Sequence, residues 1–117
     1  VMLATRAEVL ALRPDFPTLA GQPLGVVAPW HAGKDGTDAN FEVRGFITTR
    51  SAEDPVTGSL NAGLAQWLIG SGIAPDGYIA SEGTALGRAG RVHVARIGKD
   101  IWIGGDTVTC IEGKINV

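Results

Sequence analysis

The sequence predicts an α+β fold in which a strongly curved β-sheet or barrel of about seven or eight strands wraps around one central buried helix. Three observations lead to this prediction. Residues 60–70 place Leu60, Leu64 and Leu68 on one helical stripe with small apolar residues around it, so the helix has little polar face. Short segments with apolar residues at alternate positions surround this helix. The 17 glycines in 117 residues indicate many tight turns and therefore short strands.

The first half of the chain contains three predicted strands, one short helix and one long loop. The strands are expected in the apolar segments 1–5, 24–29 and 41–48. A helix is predicted at 7–12, because Glu8 lies in its first turn and Pro14 follows its end. The remaining segments lack a regular pattern: 15–22 is irregular or a second short helix, and 30–40 is a polar, glycine-rich loop.

The second half of the chain is more regular. The long helix is expected to stop at Gly70-Ser71-Gly72, and Pro75-Asp76-Gly77 forms a turn. Beyond this turn the pattern predicts four more strands, at 78–82, 91–97, 101–103 and 107–111. The chain is long enough for one domain, which we expect to span residues 1–117.

The segment with the most chemical information is Glu53-Asp54-Pro55-Val56-Thr57-Gly58-Ser59, directly before the long helix. Pro55 fixes its own φ and favours an extended conformation for Asp54. Thr57, Gly58 and Ser59 are residues that begin helices, where the first N–H groups lack intrahelical partners. Such an N-terminus attracts anions. A polar start to a buried helix therefore predicts an anion site at residues 57–59.

Composition excludes several classes of function. The formal net charge is −2 and no basic block occurs, so nucleic acid is not the expected partner. No apolar run approaches the roughly 20 residues of a membrane span, and we expect no membrane partner. Cys110 is the single cysteine, which rules out a disulfide within the chain and favours a cytoplasmic location. His31 and His93 lack further ligands at metal-binding spacing, so no metal site is expected.

The heptapeptide from Glu53 to Ser59 resembles the EDPxTGSA signature of the phenazine-biosynthesis (PhzF-like) isomerase family. Leu60 follows it where the family usually has alanine, and a larger side chain there narrows the pocket. Further similar segments cover nearly the whole chain: 13–19, 82–83, 87–90, 104–108 and 112–113.

The resemblance implies the diaminopimelate-epimerase-like fold, in which two lobes each wrap a barrel around a helix and enclose the active site between them. The chain resembles the second, C-terminal lobe, and the first lobe has no counterpart in this sequence. The family's acid/base glutamate belongs to that first lobe. We therefore expect a complementary first-lobe chain or a homodimer as partner.

The resemblance also assigns roles to individual residues. It implies that Asp54 and Ser59 are catalytic. The helix start itself predicts that Thr57, Gly58 and Ser59 bind the substrate, and Arg88 is a further candidate for holding an acidic substrate. The residues themselves leave alternatives open. Asp54 either holds a polar group of the substrate or serves only the turn, and Ser59 is a helix cap, a proton relay or both. A glycine-rich hairpin around Arg88 is the plain alternative to a substrate contact.

Two functions follow from these observations. The first is half of a cofactor-independent isomerase or epimerase, which transfers a proton on a small carboxylate-bearing substrate. The second is a non-catalytic single-lobe module, for binding or structure, from a split or truncated gene.

Overall fold

The computed structural model describes residues 1–19 and 21–116, which form an open, mixed β-sheet with two α-helices. The helices are α1 (Arg6–Ala11) and α2 (Gly58–Gly70). The strands are β1 (Leu24–Pro29), β2 (Phe41–Ile47), β3 (Ala52–Asp54), β4 (Gly77–Glu82), β5 (Gly90–Ile97) and β6 (Asp100–Gly104). No helix in the described part of the chain has the length and apolar character that crossing a membrane requires.

The sheet has the order β1-β2-β4-β5-β6, and β3 also pairs with β2. Only the β2–β4 pair is parallel. β3 and β4 share the same edge of β2: β4 pairs with Phe41–Val43, whereas β3 pairs with Gly45–Ile47. Since β3 is antiparallel to β2 and β4 is parallel to it, the C-terminal ends of β3 and β4 face each other across the position of Arg44.

The two helices cover opposite faces of the sheet. α2 buries Leu64, Ala65 and Leu68 in the larger apolar core, which includes alternate residues of β2, β4 and β5. α1 buries Val9 against the other face of β1 and β2, where Phe46 completes a smaller core. β2 is therefore buried on both faces. This explains why apolar and polar residues do not alternate regularly along it.

Arg44 connects α1 to β3 through a buried network. Its Nε and Nη2 donate to Glu53 at 2.9 and 2.7 Å, which is a bidentate ion pair. Its Nη1 donates to the carbonyl oxygens of Val9 and Leu12, at 2.9 and 3.1 Å, at the end of α1. Glu53 is therefore a structural residue that fixes β3, although it begins the heptapeptide.

The predicted barrel around a central helix is wrong in three respects. The described residues form six strands, the sheet does not close, and α2 lies on one face of it. Trp67 is 44% exposed, so α2 has an outer face. Among the described residues no strand pairs with the predicted strand at 107–111, which is exposed. The predicted strand at 1–5 contributes one bridge, between Met2 and Val27.

Candidate functional site

The ends of β3 and β4 place two carboxyl groups at the start of α2. Asp54 pairs with Gly45 and Glu82 pairs with Val43, so their Cα partners are two positions apart on β2, about 7 Å. Positions two apart on a strand point to the same face. Val43 belongs to the core beneath α2, and both carboxyl groups therefore lie on the side of the sheet that α2 covers.

Thr57 connects the two carboxyl groups. Its hydroxyl Oγ1 donates to Asp54 Oδ2 at 3.0 Å, and its backbone N–H donates to Glu82 Oε2 at 3.1 Å. Asn61, one turn into α2, donates from Nδ2 to the same Glu82 Oε2 at 2.6 Å and to the Thr57 carbonyl oxygen at 2.9 Å. The N-terminal turn of α2 is thus attached to the ends of both strands.

Gly45 permits this close approach of helix and sheet. A Cβ atom at this position would lie 2.8 Å from Thr57 Oγ1, 3.1 Å from Leu60 Cδ2 and 3.4 Å from Glu82 Oε1. A larger residue would force the Thr57 hydroxyl and the Leu60 side chain to shift, and this hydroxyl is the donor to Asp54.

The N-terminus of α2 remains open to ligands at three backbone positions. Thr57 is the N-cap residue, but no side chain caps the helix, and its first turn contains no acidic residue. The N–H of Thr57 is occupied by Glu82. The unpaired N–H groups of the first turn are therefore those of Gly58, Ser59 and Leu60, which shifts the predicted anion site one residue along the chain.

A cavity of about 280 Å³ lies beside this helix start. Ser59 and Thr57 supply its polar wall, and the rest of the lining is apolar or glycine: Pro23, Leu24, Gly25, Gly45, Phe46, Ile47 and Leu60. Its size suits a small molecule, and its composition suits a ligand with one polar end and a carbon skeleton.

Glu82 is the residue of this site that the sequence interpretation missed. Its side chain is fully buried, and Oε1 has no hydrogen-bond partner among the described residues. The pKa of the Glu82 carboxyl is raised, mainly because the group is buried. Hydrogen bonds from Thr57 and Asn61 oppose this increase in pKa, and the charge of Asp54 adds to it. The available signal was the alternation Tyr78, Ala80, Glu82, which continues the buried face of β4 to its last residue.

The structure distributes the predicted site residues over different positions. Asp54 is half-buried and oriented by Thr57, while Gly58 and Ser59 are exposed at the helix start. Arg88 is exposed in the β4–β5 connection, where its N–H donates to the Gly83 carbonyl oxygen, and it does not line the cavity. Its contact with a substrate stays a prediction.

The described residues include no group of three or more His, Cys, Asp or Glu side chains that could hold a metal ion. His31 and His93 are both exposed.

Comparisons with known proteins agree on one family. The family model described as phenazine biosynthesis-like protein, PhzC-PhzF, matches residues 1–113. No curated protein matches the sequence.

Two solved structures share the fold. A protein from Clostridium difficile (strain 630), described as a phenazine biosynthesis PhzC/PhzF protein, superposes with a TM-score of 0.72 at 22% identity, over 100% of this chain and 44% of that one. A PhzF-family phenazine biosynthesis protein from Enterococcus faecalis gives a TM-score of 0.71 at 26% identity, over 89% of this chain and 38% of that one. The chain thus spans less than half the length of either protein.

Proposed function

The chain belongs to the phenazine biosynthesis-like PhzC-PhzF family, and from this premise we propose that it supplies one half of a cofactor-independent isomerase site. The substrate is a small carboxylate-bearing molecule, and the reaction moves a proton between its carbon atoms. The observation that carries this proposal is the uncapped N-terminus of α2 at the wall of a mainly apolar cavity.

Each part of the site has a separate task in this proposal. The substrate carboxylate accepts hydrogen bonds from the N–H groups of Gly58, Ser59 and Leu60, and the dipole of α2 favours its negative charge. Ile47 and Leu60 in the cavity wall contact the carbon skeleton. Asp54, held by the Thr57 hydroxyl, accepts a hydrogen bond from a second polar group of the substrate.

The acid/base glutamate comes from outside this lobe, as the family resemblance implies. We propose that a complementary first lobe, or a second copy of the chain, faces the start of α2 and closes the cavity. A monomer would leave this face open to water, where a proton transfer at carbon loses the benefit of an enclosed site.

The second candidate is a non-catalytic module that binds a small anion. It needs only the uncapped start of α2, which can bind an anion without an acid/base glutamate. Both candidates need the anion site, and they differ in turnover once a first lobe is supplied.

Proline at position 58 tests the anion site directly. Gly58 is the first residue of α2, where proline is tolerated, and a Cβ there meets no atom within 4 Å. Thr57 already has an extended conformation, with φ −113° and ψ 98°, and a modest increase in ψ brings it into the range of a residue before proline. Gly58→Pro thus removes one N–H donor without breaking the helix.

The assay is a titration with acetate, followed by amide chemical shifts in NMR. We expect acetate to shift the N–H signals of Ser59 and Leu60 in the wild type and to bind at least several-fold more weakly to Gly58→Pro. Gly63→Ala, on the outer face of α2 with no atom within 4 Å, is the matched control and should bind as the wild type does. Equal affinity of all three proteins would contradict an anion site at this helix start.

A second experiment separates the two candidates. The chain is mixed with the first lobe of a PhzF-family protein in D₂O, with a panel of small carboxylic acids, and deuterium incorporation at carbon is followed by NMR. Incorporation that requires both lobes supports the isomerase, whereas acetate binding without incorporation for any acid supports the module.

A further inference from the structure

Glu82 has a property that the proposed chemistry does not use. It is a fully buried carboxyl group that touches the anion-binding turn through Thr57, and no cation among the described residues forms an ion pair with it. The ion pairs of the described residues all lie elsewhere: Arg6–Glu42, Arg44–Glu53, Arg91–Asp38 and Arg96–Asp76. A buried carboxylate without a cation pays a large desolvation cost.

The charged residues on the surrounding elements confirm this isolation. α2 contains no charged residue and stabilises a charge on Glu82 only through its N-terminal dipole and the hydrogen bonds from Thr57 and Asn61. Asp54 of β3 is the charged group that faces it, and its sign is the same. The charged residues of the adjoining strands β2 and β5, together with Glu53 of β3, are engaged in the ion pairs named above: Glu42, Arg44, Glu53, Arg91 and Arg96.

The two oxygens of Glu82 differ in their hydrogen bonds. Oε2 accepts two N–H groups, from Thr57 and from Asn61, whereas Oε1 accepts none. Asn61 Oδ1 is a second buried acceptor without a donor. Two buried acceptors at this site thus lack donors, and a proton on Oε1 removes the negative charge from one of them.

We propose that Glu82 is a positioning residue that holds the anion-binding turn as a neutral carboxylic acid, with its proton on Oε1, and that its ionisation drives a ligand carboxylate from the helix start. This inference rests on the anion site of the proposed function. In the neutral form Glu82 still accepts the Thr57 N–H and keeps the turn in place. In the ionised form it adds a negative charge next to the amides that bind the ligand.

The sign of the pH dependence follows from linkage. An anionic ligand binds better to the protein with neutral Glu82. At a pH where Glu82 of the free protein is partly ionised, ligand binding is therefore accompanied by uptake of a proton on Glu82. Affinity is therefore highest at low pH and falls as pH rises through the raised pKa of Glu82. One proton limits the slope to about tenfold in affinity per pH unit.

The test compares acetate affinity across pH in three proteins, from about pH 6 upward, where acetate itself stays ionised. The wild type should lose affinity as pH rises. Glu82→Gln keeps the size and an oxygen acceptor for Thr57, and its affinity should stay level at the low-pH value of the wild type. Glu112→Gln, an exposed glutamate outside the sheet, is the matched control and should retain the wild-type slope.

A second measurement does not depend on the folding of any variant. The glutamate side-chain carboxyl carbons of the ligand-free wild type are titrated by ¹³C NMR. We expect one of them to change its shift at a clearly higher pH than the others, and this signal should be absent from Glu82→Gln.

The outcomes separate this inference from the anion site itself. If acetate binds with the same affinity at every pH, the proposed role of Glu82 is wrong but the anion site is supported. The role of Glu82 is also wrong if its carboxyl titrates together with the exposed glutamates. If acetate binds to none of the proteins at any pH, the anion site is wrong, and so is the proposal that ionised Glu82 releases a ligand. The ¹³C titration then still tests whether Glu82 is a neutral acid.

Discussion

Leu60 packs against two glycines of the sheet, and this contact allows a mutational test. Replacing one of these glycines by alanine should destabilise the wild type but stabilise a variant that lacks the Leu60 side chain. Gly25 of β1 lies opposite Gly45 of β2 in the sheet, and Leu60 of α2 occupies the notch that the two missing side chains leave. A Cβ on Gly25 would overlap Leu60 Cδ1 and lie 3.1 Å from Cδ2 and 3.2 Å from Cγ. These three atoms, all in one side chain, are its nearest neighbours.

The magnitude follows from two opposing terms. Overpacking of this kind costs about 1–3 kcal/mol. Replacing glycine by alanine within a strand returns about 0.5–1 kcal/mol of backbone entropy. We therefore expect Gly25→Ala to lower the free energy of unfolding by roughly 1 kcal/mol in the wild type. In a Leu60→Ala background the overlapping atoms are gone, and the same change should raise it by about 0.5–1 kcal/mol.

A double-mutant cycle in urea measures this difference. The coupling between positions 25 and 60 should be about 1–3 kcal/mol and favourable in the double variant. Gly104→Ala is the matched control, because Gly104 ends β6 with no atom within 4 Å of an added Cβ, and its effect should add to that of Leu60→Ala. If Gly25→Ala is equally destabilising in both backgrounds, the notch is not what excludes a side chain there.

Three further predictions concern single residues. Leu64→Ala should lower the free energy of unfolding by about 2–5 kcal/mol in thermal or urea denaturation, because this side chain is 7% exposed between α2 and the sheet; a loss below about 0.5 kcal/mol would contradict that packing. Asp54→Asn should stay within about 1 kcal/mol of the wild-type stability but remove turnover in the two-lobe mixture, so a stable variant with full turnover would exclude Asp54 from the reaction. Burial raises the pKa of Tyr78, the single tyrosine, to about 12. The stability that the folded protein gains from keeping Tyr78 neutral is therefore fully present below the pKa of an unfolded tyrosine, near 10. It is lost as pH rises toward the folded-state pKa of about 12. Ultraviolet absorbance should show this late ionisation, and a midpoint near 10 in the folded protein would contradict it.

Local patterns were sufficient to predict most of the elements. The strand at 24–29 and the end of α2 at Gly70 agree with the structure, because their signals lie within the segment itself. β3 was missed because it has three residues, two of them acidic, and gains its conformation from pairing with β2. The segment 107–111 alternates as a strand does, yet no strand lies beside it among the described residues.

That the sheet stays open could not be predicted from the same information. Strand order and closure depend on pairings between distant segments, such as the parallel contact of β2 with β4, and no residue pattern within either strand records the partner. For the same reason the all-apolar appearance of α2 was misleading. One face of the helix is covered by the sheet, and Trp67 lies on the other.

The candidate site was predicted in part. Thr57 and Ser59 lie at the cavity, as their place at a helix start indicated. Glu82 was missed because the predicted strand at 78–82 does not indicate which element packs against its last residue. Its burial follows from the register of β4 and from Thr57 and Asn61, which lie 25 and 21 residues away in the sequence.

The facing ends of β3 and β4 limit where the chain can change in length. Only the position of Arg44 separates their last partners on β2, so two residues added to either strand would extend it into the place of the other. The displaced strand would take Asp54 or Glu82 away from α2 even though no residue had been substituted. Insertions and deletions compatible with the site therefore belong in the segment between β1 and β2 or in the turn between β5 and β6. The number of residues from Ala52 to Thr57, by contrast, has to stay constant, because it fixes Asp54 and Thr57 in their places at the site.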